Sequence, residues 1–313
     1  MLEAFLATLS PMMVMFSCII IGFVVYKLKI LPENTPSVLS KLEVNIFLPA
    51  LILSSFIRNC TVDSIAAQYP VLIYGCIALA VSLAMGIPLS RLFSKERNER
   101  GIYSYSLVIA NCGFLGNAIA SQVLGPEGLY LYILFYMPAS ACIYTWGMRM
   151  LIPEGKGQKK SIFKSLLNPS FVSMILGLAL GLCGFGKIMP DFASTVLNNL
   201  AACMGPVAML LTGVVIAQYD VLRLLKNKKV YFAAALRLLI LPAIIVAVLW
   251  LLGADKLTLT LALFCFGSAL GLNTVVFPAA YGGDTHTGAS MAMISHVGAV
   301  ISIPVLYALL MIL

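Results

Sequence analysis

Long apolar runs separated by short charged loops recur along the whole chain, and this pattern constrains the fold more than any single motif. Ten runs of about 17 to 25 residues fit the sequence, the length an α-helix needs to cross the hydrocarbon layer of a membrane. They lie near 5–26, 38–56, 70–89, 101–124, 129–151, 169–185, 192–217, 230–252, 257–281 and 288–312. Inside lipid every backbone N–H and C=O must find its partner within the protein, so runs of this kind predict helices. Of the 313 residues, 61% are hydrophobic and only 10% are charged, with a mean hydropathy of +1.01. A soluble domain carries about 25% charged residues. The chain therefore reads as an all-α polytopic membrane protein. Its first run follows Glu3 without a basic flank and is long enough to be a retained span rather than a signal peptide.

The formal charge of +8 does not point to nucleic acid. Basic residues alternate with apolar spans, and no aromatic–basic platform occurs. Sixteen of the 20 lysines and arginines fall in alternate loops, around Lys27–Lys41, Arg91–Arg100, Arg149–Lys164 and Arg223–Lys229. Arg58, Lys187 and Lys256 lie on the other side, and Arg237 lies within the eighth span. The excess marks the cytoplasmic face, which puts both termini outside a multi-pass cell-membrane protein.

Two spans carry residues that a regular membrane helix avoids. Asn111–Ser121 reads NCGFLGNAIAS, with Gly113 and Gly116 between Asn111 and Asn117. Gly267–Pro278 reads GSALGLNTVVFP, with Gly271, Asn273 and Thr274. A glycine in a helix interior costs about 1 kcal/mol relative to alanine, and an unpaired amide in hydrocarbon costs more. On an intact helix Asn111 and Asn117 stand about 240° apart, so they converge only if residues 113–116 unwind. Two interrupted spans in corresponding halves are a pointer to a transporter's binding site.

The halves correspond. Lys29-Ile30-Leu31-Pro32-Glu33 matches Lys187-Ile188-Met189-Pro190-Asp191, and 21 residues before each of those prolines stands another, Pro11 and Pro169. Leu48-Pro49-Ala50 matches Gly205-Pro206-Val207, and Asn117 falls opposite Asn273. Five spans per half is an odd number, so the second half enters the membrane from the opposite face. The expected architecture is a 5+5 inverted repeat. It comprises residues 1–152, a basic cytoplasmic linker at 153–168, and residues 169–313.

The span with LPALILSSF, the NCGFLGN stretch and the GLNTVVFPAAYGGD stretch, in this order, resemble the auxin efflux carrier family. This is its bacterial branch, related to plant PIN auxin carriers and to malate permeases. The resemblance covers essentially the whole chain. It implies a secondary transporter of small organic anions, with a scaffold of spans 1, 2, 6 and 7. It implies a transport domain of spans 3–5 and 8–10, a site where broken helices 4 and 9 cross, and a homodimer built through the scaffold. The sequence departs from the family pattern at Ala118 and Ala269, where a proline commonly stands beside or just before the asparagine.

The candidate substrate-binding residues are thus Asn111, Gly113, Gly116, Asn117, Gly271, Asn273 and Thr274. Helix–helix packing is the plainer role of small residues and asparagine in membranes. Pro49 and Pro206 read as kinks or hinges of the scaffold, and Ser54, Ser55 and Thr212 either line the cavity or bond back to their own helices. For coupling to a proton or sodium the candidates are His296, near mid-membrane in the last span, and Glu43. Glu43 reads first as a surface charge beside Lys41. Arg237 reads first as snorkelling to the cytoplasmic face, and second as a partner for an anion.

The eight cysteines form no CxxC pair and read as small buried hydrophobes, without disulfide or metal. No phosphate loop, buried carboxylate pair or nucleophile constellation occurs. The expectation is a carrier of a small carboxylate in contact with lipid, without cofactor or enzymatic activity. A non-transporting membrane receptor or sensor on the same fold is the alternative, and an intramembrane enzyme a weaker third.

Overall fold

The structure, a computed structural model, describes residues 2–152, 169–280 and 283–312. The expected linker at 153–168, with its lysines, lies outside these residues. Everything described is helix, turn or loop. The helices are α1 (Leu2–Lys27), α2 (Thr35–Asn59), α3 (Val62–Ser90), α4 (Arg97–Val108), α5 (Asn117–Cys142), α6 (Pro169–Leu182), α7 (Asp191–Ala217), α8 (Lys228–Leu251), α9 (Lys256–Phe266), α10 (Asn273–Ala280) and α11 (His286–Leu310).

Among the described residues, seven helical segments are long and apolar enough to cross a membrane. One of them, Arg97–Leu151, runs for 55 residues and takes in two of the ten expected spans. Gly125, at φ +69°, kinks it where a side chain would be strained, and Pro126 follows. The shorter apolar helices α6 and α9 stand where the sixth and ninth spans are expected.

The molecule wears its apolar side chains outward. Ile20, Ile21 and Val24 on α1, Ile175 and Leu176 on α6, Trp250 and Leu251 on α8, and Ile301 and Leu309 on α11 are all exposed. Contiguous exposed apolar surface on this scale belongs against lipid. The interior is largely apolar as well, and within it lie hydroxyls and amides, including Ser82, Ser106, Asn111, Asn117, Ser268 and Thr274. Helix α1 runs along α7 and packs on α11, the second half of α2 packs on α6 and α7, α3 packs on α4 and α5, and α8 on α9 and α11. Gly22 and Gly213 let α1 and α7 approach until a Cβ at either would strike the other helix's backbone.

Two π turns bury charge. In α2 the turn Glu43–Phe47 precedes Leu48-Pro49, and in α8 the turn Leu236–Ile240 precedes Leu241-Pro242. Proline brings no N–H and its ring clashes with the carbonyl four residues back, so one wider turn ahead of it relieves both problems. Each turn closes with a bond five residues long, from Leu48 N–H to Glu43 O and from Leu241 N–H to Leu236 O. The expectations for both charged residues are corrected here: Glu43 is not a surface charge and Arg237 does not snorkel, since both are 0% exposed. The extra residue in each turn rotates the charge to the inner face of its helix.

Candidate functional site

The buried ends of α4 and α9 lead into two short breaks. Along α4 every residue from Gly101 to Val108 is buried, as is every residue of α9 from Thr258 to Phe266. Irregular backbone at membrane depth is tolerated in such surroundings, where protein groups replace the missing helix bonds. The first break spans 109–111: Ile109 is extended and Asn111 sits at φ −76°, ψ 51°. Ser82 Oγ donates to Val108 O at 2.8 Å, taking up a carbonyl that the helix end leaves free. The second break spans 267–272, where Ser295 Oγ accepts the Leu270 N–H at 2.9 Å and Thr274 Oγ1 donates to Gly271 O at 3.1 Å. The breaks touch: Asn111 N–H donates to Ala269 O at 2.8 Å. Ala269, where the resembling family often has proline, thus supplies a carbonyl to the opposite break.

The unwinding expected at 113–116 occurs earlier. Residues Cys112–Gly116 form a π turn that runs straight into α5, and neither glycine has positive φ. Gly116 serves close approach instead: a Cβ there would collide with the Tyr132 hydroxyl, which donates to Cys112 O at 3.0 Å. At Gly113 a Cβ would meet no atom within 4 Å. Gly271 lies against Asn111, its ideal Cβ 3.5 Å from Asn111 Oδ1.

A cavity of about 390 Å³ opens beside the first break, between α2, α7 and the start of α5. That volume suits a small molecule. Asn117, Ser54, Ser55, Arg58, Gln122 and Asn198 give its wall a polar character, and Ala118, Gly205 and Pro206 close it. The Arg58 Nη2 and Ser54 Oγ both donate to Asn198 Oδ1, at 3.2 and 2.7 Å, which orients this cluster. Asn117 Nδ2 donates to Gly113 O at 2.7 Å and reaches the Tyr136 hydroxyl at 3.4 Å. Asn117 Oδ1 and Ser55 Oγ are buried without a protein partner. Ser54 and Ser55 therefore take the cavity-lining role, whereas Thr212 bonds back to Ala208 O at 2.9 Å. Pro206 lines the cavity and Pro49 does not.

The structure brings Asn111, Gly271 and Ala269 together, but it sends Asn117 and Asn273 to different surroundings. Asn273 Nδ2 donates to the Tyr105 hydroxyl at 2.9 Å, and Asn273 is not part of the lining of this cavity. Asn111 Nδ2 is buried without a partner. His296 Nδ1 lies 2.7 Å from Ala292 O, a bond along its own helix rather than to Ser295 or Ser302, and Nε2 has none. Both carboxylate oxygens of Glu43 are buried without a partner. The Arg58–Ser54–Asn198 cluster was missed in the sequence, where its members lie about 140 residues apart. The available signal was Arg58 itself, one of three basic residues on the less basic side. All eight cysteines are free, with Cys60, Cys112 and Cys265 buried and Cys76, Cys183 and Cys203 exposed.

A helical body with an apolar exterior, polar groups set within its core and two touching helix breaks beside a cavity is that of a membrane transporter. Residues 7–307 match the family described as membrane transport protein, and the chain belongs to it, the auxin efflux carrier family of the resemblance. The chain is similar to an uncharacterized transporter of Methanocaldococcus jannaschii, 25% identical over 209 residues that cover 66% of this chain and 68% of the relative. It is also similar to an uncharacterized transporter of Methanothermobacter thermautotrophicus, 22% identical over 214 residues that cover 67% and 68%.

Proposed function

We propose that this protein is a secondary carrier that moves a small organic anion, a carboxylate, across the cell membrane by alternating access. The observation that supports this most is the bond between the two breaks, Asn111 N–H to Ala269 O, next to a cavity whose mostly apolar wall carries hydroxyls, amides and a guanidinium. In this reading the helices form the 5+5 inverted repeat. Helices α1, α2, α6 and α7 are the scaffold through which two copies dimerise, and the rest form a transport domain whose broken helices cross.

In this reading the cavity, lined by α2, α5 and α7, lies between scaffold and transport domain, where rocking or an elevator movement exposes it to one face and then the other. The basic loops put both termini outside, and the cavity then opens outward, with Arg58 drawing anions toward it. Asn117 Oδ1 and Ser55 Oγ, left free by the protein, meet the substrate or the water that accompanies it. Glu43 and His296 are the coupling candidates: an uncompensated carboxylate inside a membrane is a group that a proton or a cation relieves.

Purified protein in proteoliposomes decides between carrier and receptor. A panel of mono- and dicarboxylates should yield at least one with saturable flux that competes with binding. Binding without flux for every member would make the protein a receptor on this fold and overturn the carrier reading. Orientation is tested at Gly157 in a cysteine-free background. A cysteine there should resist an impermeant reagent in intact cells, and labelling would reverse the topology.

A further inference from the structure

Arg237 is the buried charge that the carrier reading leaves without a task. It stands in the π turn of α8, fully enclosed, and an arginine stays charged in any protein environment. A bare cation inside a membrane protein is very unfavourable unless something opposes it. The hydrogen bond the structure gives it is from Nη2 to Ser268 O at 3.4 Å, in the second break, while Nε and Nη1 have no partner among the described residues. Its ionisable neighbours are Cys265, Cys112 and Tyr105. Those residues belong to α9, to the turn after the first break, and to α4. The guanidinium therefore lies where the C-terminal ends of α4 and α9 come together.

Each such end carries about half a negative charge from its unpaired carbonyls. Two of them meeting in a poorly polarisable interior need a cation. In transporters with broken helices, unwound carbonyls and half-helix C-terminal ends commonly bind a sodium ion or a proton for this purpose. Here the chain carries its own cation to that place. We propose that Arg237 is a positioning residue that neutralises the facing helix ends at the second break and stands in for a bound coupling cation there. The two breaks are then held together in every state of the transport cycle without sodium. Coupling, where it exists, is left to groups elsewhere, such as Glu43.

The native thiols at the junction report on this without any substrate, so the outcome is independent of the carrier reading. In a background that keeps only Cys112 and Cys265, the wild-type junction should react slowly with a small membrane-permeant maleimide, at the same rate in sodium, potassium or choline chloride. Arg237→Gln should react about tenfold faster, the gain in access to the loosened junction outweighing the loss of a cation that favours the thiolate, and sodium should slow that reaction by closing the junction again. Arg237→Lys should remain close to wild type. A wild-type junction whose protection depends on sodium would overturn the proposal, because the cation site would then be unfilled. Thiols as protected in Arg237→Gln as in wild type, in all three salts, would overturn it as well. If Arg237→Gln yields no folded protein, the sodium response of the wild type and the protection in Arg237→Lys decide: exposed thiols in the lysine variant contradict a tethered charge.

Discussion

The two helix breaks match in sequence and differ in surroundings. The first is short, continues at once into a π turn, and delivers Asn117 to the wall of a cavity with its Oδ1 free. The second is longer, is pinned by Ser295, Thr274 and Arg237, and ties Asn273 to Tyr105. Matching sequence at the two breaks does not give their backbones matching neighbours. Helix α5 and the cavity stand beside one break. Helices α4, α8 and α11 stand beside the other. In the proposed function the first break meets the ligand and the second holds shape.

Glycine substitutions in the π turn after the first break should give both the largest effect and the control for it. Gly116→Ala forces a Cβ into the Tyr132 hydroxyl and breaks its bond to Cys112 O, which should destabilise the protein by about 1–3 kcal/mol. A thermal melt of purified protein reads this, and an unchanged melting temperature would mean the π turn is not packed as described. In the second break, Tyr105→Phe removes the acceptor for Asn273 and should cost about 1–2 kcal/mol of stability while leaving ligand affinity alone. A loss of affinity in Tyr105→Phe would put a ligand at the second break too and dissolve the contrast.

Arg58→Gln should act more weakly, because its guanidinium is exposed and screened. Affinity for a carboxylate should fall about two- to fivefold, and the loss should shrink as salt is raised. A loss that ignores salt would indicate a closed, direct contact instead. Gly113→Ala should have the smallest effect, near zero on stability, since the added methyl meets open space. A large destabilisation there would mean that the space is filled.

The apolar helices and the stretches that hold both breaks were legible because hydropathy and glycine–asparagine clusters are local signals. Their details were not. The chain leaves helical geometry at Ile109, in an apolar stretch with no glycine, because the contact with Ala269 about 160 residues away fixes Asn111. The burial of Glu43 and Arg237 was written in the sequence as a charge five or six residues ahead of a proline, Pro49 or Pro242. Read as a simple kink, as Pro49 was, such a proline gives no hint that the turn before it widens and rotates the charge inward. The Arg58–Ser54–Asn198 cluster joins residues from both halves, which spacing along the chain cannot bring together.

The contrast between the breaks is tested most directly by measuring carboxylate affinity and melting temperature for Asn117→Ala and Asn273→Ala side by side. Asn117→Ala should weaken binding roughly 10- to 150-fold, the worth of one hydrogen bond to a charged ligand, with a smaller change in melting temperature. Asn273→Ala should lower the melting temperature and bind with wild-type affinity. The reverse pattern, or equal loss of affinity in both variants, would contradict the account.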